Sequence, residues 1–264
     1  MTEPLLREDL GAIAYLTLNR PEAGNAIDLP LARALSDAAE AAAKDPAIRC
    51  VVLRGNGRMF CAGGDVKKLH CAGERLPHLL GDILAHLHRA IACLLRMDKP
   101  VITAVQGPAA GAGLGIAVCG DIVLAAPEAH FTMAYSRIGL TPDGGASWLL
   151  PRLIGLRRTQ ELALTNRSMP AAEAAAVGLV TRVVDQGELT DATNRMAETL
   201  ASGATRALGQ TRTLFLDGYV GSLEAQLASE AETIIAQGRN AESHEGLTAL
   251  IERRAPDFVA NGRV

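Results

Sequence analysis

The sequence predicts an α/β fold in which strands alternate with helices up to about residue 185, followed by a helical region over 186–264. Three observations carry this. Short apolar runs rich in β-branched residues, Arg49–Arg54 (RCVVLR), Val101–Val105 (VITAV) and Asp121–Ala126 (DIVLAA), read as buried strands. Longer segments with apolar residues at helical spacing lie between them. Beyond Leu189 the chain is rich in Ala, Leu and Glu, broken at Gly203, Gly218–Ser222 and Arg239–Asn240.

Taken in order, Met1-Thr2-Glu3-Pro4 begins with an acid and leads into a charged strand, not into a basic-then-apolar leader. Ala12–Leu18 (AIAYLTL) alternates as a strand does, and Asn19–Asn25 is a turn-rich loop. Asp28 is the expected cap of an Ala-rich helix over Leu29–Lys44, whose Leu31, Leu35, Ala38 and Ala42 share a face. Asp45-Pro46 ends that helix. After the strand at Arg49–Arg54 and the turn Gly55-Asn56-Gly57, Met59–Asp65 (MFCAGGD) forms a loop of very small residues at a strand end.

A long amphipathic helix is expected from about Leu76 to Met97, and Lys99-Pro100 leads into the strand at Val101. That strand breaks at Gly107-Pro108, crosses Gly111-Ala112-Gly113, and resumes as an apolar segment of helical character. A third loop, Gly139–Gly145, precedes a helix starting near Ser147. Ser168-Met169-Pro170 with Glu173 reads as a helix start, and Leu179–Val184 (LVTRVV) as a short strand.

Composition narrows the function classes. With 264 residues, 48% of them hydrophobic, the chain can bury a large core as one domain or a domain with an appendage, and no low-complexity linker divides it. Only 3% is aromatic, too little for stacking platforms, and 26 basic against 29 acidic residues give −3, which argues against nucleic acid as a partner. Charges interrupt each apolar run, so no membrane span is expected. Five cysteines, odd in number and widely spaced, read as reduced packing residues of a cytoplasmic protein.

The Gly111-Ala112-Gly113 crossing has two readings. Small residues between a strand and a helix leave backbone N–H groups uncovered at a helix N-terminus, a site for developing negative charge. Equally, they let a helix approach a strand closely. A dinucleotide fingerprint fails, because Ile116 stands where its third glycine belongs. Ala62-Gly63-Gly64 is a second such loop after a buried strand. Two converging N–H donors would stabilise an oxyanion by about 3–4 kcal/mol per donor.

These residues carry a family resemblance. Asn19-Arg20-Pro21…Asn25-Ala26, Phe60-Cys61-Ala62-Gly63-Gly64-Asp65, Gly107…Gly111-Ala112-Gly113…Cys119…Asp121 and Pro142-Asp143-Gly144-Gly145 resemble the crotonase (enoyl-CoA hydratase/isomerase) superfamily in order and spacing. The resemblance runs from about residue 5 to the C-terminus. It implies a spiral of β-β-α units over 1–185 that binds acyl-CoA, and a helical region over 186–264 that packs on neighbouring subunits in a homotrimer or dimer of trimers. It implies no permanently bound cofactor, with coenzyme A entering as part of the substrate.

By the same resemblance, the N–H groups of Gly64 and Ala112, or an adjacent glycine, form an oxyanion hole. The Ala62 carbonyl meets the adenine amino group, and Gly63, Asp65, Gly111 and Gly113 frame the substrate. Lys67 or Lys68 faces the CoA phosphates, with a solvated helix start as the rival reading for that pair. Hydratases of the superfamily carry two glutamates; here Gly115 and Tyr135 stand at those positions.

The remaining carboxylate is Asp143, which in isolation reads as a turn aspartate in Pro-Asp-Gly. Ser136–Gly145 through Leu149–Arg152 most resembles the ring-opening 2-(1,2-epoxy-1,2-dihydrophenyl)acetyl-CoA isomerases of the superfamily. One carboxylate suits isomerisation of a double bond or epoxide, moving a proton between carbons of an enolate. An atypical hydratase and a non-catalytic acyl-CoA binder are the alternatives. His70, His78, His86 and His88 read as solvated or packing residues of mixed helical phase, and Tyr135 and Trp148 as core residues or as lining of the acyl pocket.

Overall fold

The computed structural model describes residues 3–261. Strands β1 (Leu5–Leu10) and β2 (Ile13–Leu18) pair antiparallel, with Leu10 opposite Ile13 and Gly11 at φ 60° in the tight turn between them. Helix α1 (Leu29–Lys44) has the bounds its pattern predicts, and Asp28 accepts from the Leu31 N–H as its cap. The chain continues through β3 (Cys50–Gly55), α2 (Val66–Cys71), α3 (Leu76–Arg96), β4 (Val101–Val105), β5 (Ala109–Ala110) and α4 (Ala112–Ala117).

Next come β6 (Ile122–Ala125), β7 (His130–Thr132), α5 (Ala146–Ile154), α6 (Leu156–Thr165), β8 (Met169–Pro170), α7 (Ala171–Ala176) and β9 (Arg182–Val183). The helical region is α8 (Leu189–Ser202), α9 (Thr205–Gly218), α10 (Leu223–Gln237), α11 (Ala241–Glu252) and α12 (Phe258–Asn261). Among the described residues the main sheet runs β1-β2-β3-β4-β6-β9, parallel from β2 onward, and a small sheet runs β5-β7-β8. This is the mixed α/β architecture that the sequence predicts.

One face of the main sheet packs on α1 and α3, burying Leu16, Leu18, Leu35, Leu53, Leu87 and Leu94. The other face takes α8, whose Ala197 and Ala201 sit on Ile13, Tyr15, Val52 and Ile102, with the Tyr15 hydroxyl donating to Asn194 at 3.0 Å. The guanidinium of Arg212 anchors α9, pairing with Asp121 at 2.7 Å and donating to the carbonyls of Leu94, Met97 and Lys99. These are orphan carbonyls at the end of α3, which a buried guanidinium fork satisfies.

One expectation needs correction. The predicted strand at Leu179–Val184 contributes only Arg182 and Val183 to the ladder, because β6 offers it just Leu124 and Ala125. The segment Gly73–Arg96 is long and apolar enough to cross a membrane by length and composition. Its buried Ile83, Leu87, Ala90, Ile91 and Leu94 lie on one face and exposed Asp82 and Arg89 on the other, the pattern of an amphipathic helix packed on a core.

Candidate active site

Asn25 locks the first layer of the site. Fully buried and left-handed at φ 55°, it donates through Nδ2 to the carbonyls of Asn56, Met59 and Phe60 at 2.9–3.1 Å, and its Oδ1 accepts from the Arg20 N–H at 2.8 Å. Asparagine tolerates this backbone region and supplies every bond from one amide. The loops at 20–25 and 56–60 are thereby tied together.

Next to that knot the two small-residue loops run side by side. Cys61 donates to the Pro108 carbonyl at 3.2 Å and accepts from the Ala110 N–H at 2.9 Å; Ile27 bridges Gly63 and Asp65 at 2.7 and 2.9 Å. A Cβ on Gly63 would lie 2.7 Å from the Ala110 oxygen, and one on Gly113 would lie 2.4 Å from the Cys61 oxygen. The glycines permit this close approach, and backbone donors lie uncovered beside it. Among the described residues, neither the Gly64 nor the Ala112 N–H has a protein acceptor. Helix α4 is only six residues long, so local N–H groups, rather than a long helix, set the field there.

Those N–H groups face a cavity of about 200 Å³. Ala62, Gly63, Gly64, Gly111, Ala112, Tyr135 and Asp143 line it, with apolar walls from α2 and α3. Of the sequence candidates, Asp65, Lys67 and Gly113 lie outside this lining. Asp65 caps α2 at the Lys68 N–H and pairs with Arg20 at 3.0 Å; burial raises its carboxyl, but those partners outweigh it and hold the group below the usual range. Lys68 is engaged with Asp28, whereas exposed Lys67 forms no ion pair among the described residues.

Asp143 lies in a turn whose Gly144 and Gly145 both have positive φ, 58° and 74°. The Tyr135 hydroxyl donates to Asp143 Oδ1 at 2.7 Å and lies 3.2 Å from its carbonyl. Burial pushes the Asp143 carboxyl above the ordinary range, opposed by the Tyr135 hydrogen bond and by nearby His88. Burial and the adjacent carboxylate push the Tyr135 phenol far upward, so it remains a donor. The turn also explains Gly115: a Cβ there would meet the Gly144 oxygen at 2.3 Å. A glutamate at 115 does not fit this backbone.

Asp143 also borders a second cavity of about 460 Å³, between α3, α5 and the end of α9, lined among others by His88, Ile91, Leu95, Trp148 and Val220. Trp148 thus faces this cavity and not the one with the free N–H groups; the Arg152 guanidinium stacks on it 4.1 Å from the ring centroid. His88, exposed as the solvated reading has it, also accepts the Gly144 N–H through Nε2 at 3.3 Å. Only the side of α3 that meets the turn could have signalled this, and the sequence does not specify it. Among the described residues no cluster of potential metal ligands occurs.

The sequence profile of the enoyl-CoA hydratase/isomerase family matches residues 8–261. The chain belongs to that family. As a member of the enoyl-CoA hydratase/isomerase family, it is an enzyme of the crotonase superfamily. It is 36% identical over 261 residues to the 1,2-epoxyphenylacetyl-CoA isomerase of Escherichia coli (strain K12), covering 98% of this chain and 99% of that one. It is also 32% identical to the 2,3-dehydroadipyl-CoA hydratase of the same organism, covering 93% and 94%. Among solved structures, an enoyl-CoA hydratase from Polaromonas sp. JS666 superposes with a TM-score of 0.91 at 34% identity, covering 96% and 98%.

Proposed function

We propose that this family member is an enoyl-CoA isomerase that stabilises a thioester enolate and moves one proton with Asp143, acting on a double bond or epoxide. The thioester oxygen would accept the free N–H groups of Gly64 and Ala112, which favour the enolate over the neutral carbonyl because charge develops there. In the 3-enoyl to 2-enoyl direction a proton leaves the α-carbon for Asp143 and returns at the γ-carbon. A carboxyl raised by burial is a better proton acceptor than an ordinary aspartate.

The observation that carries this reading is one carboxylate, Asp143, in the same cavity wall as two free N–H groups, with the Gly115 position closed to a second. Coenzyme A would enter as part of the substrate, its adenine meeting the Ala62 carbonyl and its phosphates meeting Lys67. The helical region supports a homotrimer or dimer of trimers, since α10 and α11 expose Leu223, Ile234, Leu250 and Ile251 in the single chain.

The test is a panel of cis-3-enoyl-, trans-2-enoyl- and epoxyphenylacetyl-CoA, followed by mass spectrometry. Product of unchanged mass supports isomerisation. Gain of one water on the enoyl substrates establishes the hydratase reading instead, and binding of all three without turnover establishes a non-catalytic acyl-CoA binder.

A further inference from the structure

The turn that carries Asp143 is gripped from both sides at a single residue. On one side the Gly144 carbonyl seats against Gly115 of α4, where no side chain fits. On the other, the Gly144 N–H has His88 Nε2 as its acceptor, 3.3 Å away across 56 residues of chain. A ring nitrogen that accepts an N–H must be unprotonated, so this bond requires neutral His88 with its proton on Nδ1. An imidazolium has only donors. It would leave the Gly144 N–H without its partner and place a cation beside Asp143.

We propose, resting on the role of Asp143 above, that His88 is a positioning residue: through Nε2 it holds the Gly144 N–H and so fixes Asp143 in the wall of the acyl cavity. Charged groups lining the same cavity as His88 come from three elements. Asp143 lies on the turn, Asp217 on α9, and Arg96 on α3 itself; α5 contributes uncharged Ser147 and Trp148 to the same cavity. Its neighbour Arg89 approaches Glu40 of α1 at 3.9 Å.

The experiment compares His88→Gln and His88→Ala with wild type, on whichever enoyl-CoA of the panel is turned over fastest, from pH 5 to 8. Glutamine places an amide oxygen near the position of Nε2 and does not titrate; alanine offers no acceptor. His88→Ala is expected to lose about tenfold or more in kcat, with KM changed less than threefold, because small misplacement of a catalytic group is costly. His88→Gln, which restores an acceptor for the Gly144 N–H, is expected to keep kcat within about threefold of wild type.

Equal losses of kcat in His88→Gln and His88→Ala, or a kcat unaltered in His88→Ala, overturn the proposal. A purely structural role would lower the melting temperature of both variants and raise KM along with the loss of kcat. Asp143→Asn, measured alongside, separates the two ideas. Retained turnover in that variant defeats the acid–base reading itself, whereas its loss beside an unaffected His88→Ala defeats only the inference about His88.

Discussion

The Tyr135 hydroxyl donates to Asp143 Oδ1 at 2.7 Å inside a cavity that also exposes the Gly64 and Ala112 N–H groups. A position at which relatives of the superfamily are expected to hold a carboxylate is here a phenol, and it serves the one carboxylate present. The bond orients one oxygen of Asp143; in the proposed reaction the other would meet the substrate proton.

Removing that hydroxyl has a signed consequence. A hydrogen bond to an ionised carboxylate favours the ionised form, so Tyr135→Phe should move the Asp143 titration to higher pH. The carboxyl band, identified by its loss in Asp143→Asn, follows it in isotope-edited infrared spectra. We expect kcat at pH 7 to fall by about tenfold, within the range for partial loss of general acid–base function. A titration that moves to lower pH would contradict the assignment of the bond.

The raised carboxyl also links to stability. A carboxyl whose folded pKa lies above its unfolded value stabilises the fold below the unfolded pKa, and that contribution is lost as pH rises through the folded pKa. Asp143→Asn keeps an oxygen for Tyr135 and carries no charge. Its melting temperature should exceed that of wild type at pH 8, with the difference shrinking toward acid pH. A variant less stable than wild type across the range would show that burial is not the dominant influence on this group.

Gly115 is predicted to be closed to substitution. Its missing Cβ lies 2.3 Å from the Gly144 oxygen, so even Gly115→Ala must push the Asp143 turn away. We expect about 1–3 kcal/mol of destabilisation, as for other overpacked sites, and a larger proportional loss of kcat. Gly115→Glu should not create hydratase activity. Water added to trans-2-enoyl-CoA by that variant would show that the turn can move aside.

Asn25→Ala should destabilise the fold by about 2–4 kcal/mol in chemical denaturation, since it strands buried groups and forces alanine into a left-handed backbone. Asn25→Gly relieves the backbone strain but not the lost bonds, and should recover part of that cost. Equal losses in the two variants would mean that φ contributes nothing.

Much of this fold was legible in the sequence because its signals are local. Asp28 before an Ala-rich amphipathic run marks the start of α1, and Asp45-Pro46 its end. The small residues at 62–64 and 111–113 can be recognised as loops at strand ends, and their order with Asp143 carried the family resemblance. What the sequence does not show is long-range contact. Nothing local tells that His88, rather than His86, meets a backbone N–H 56 residues away. The absence of a glutamate at Gly115 is visible, but not that Gly144 occupies its space. Helical patterning through Gly111–Asp121 likewise conceals that α4 stops after six residues, its end closing on the Leu114 and Ile116 carbonyls.

The central claim is that Asp143 moves the proton while backbone N–H groups hold the charge. Its most direct test is turnover and binding of the same acyl-CoA by Asp143→Asn. The account predicts that kcat falls by at least about 10²-fold, the usual contribution of a positioned acid–base group, while the dissociation constant stays within about threefold. Turnover equal to wild type in a folded variant would contradict it.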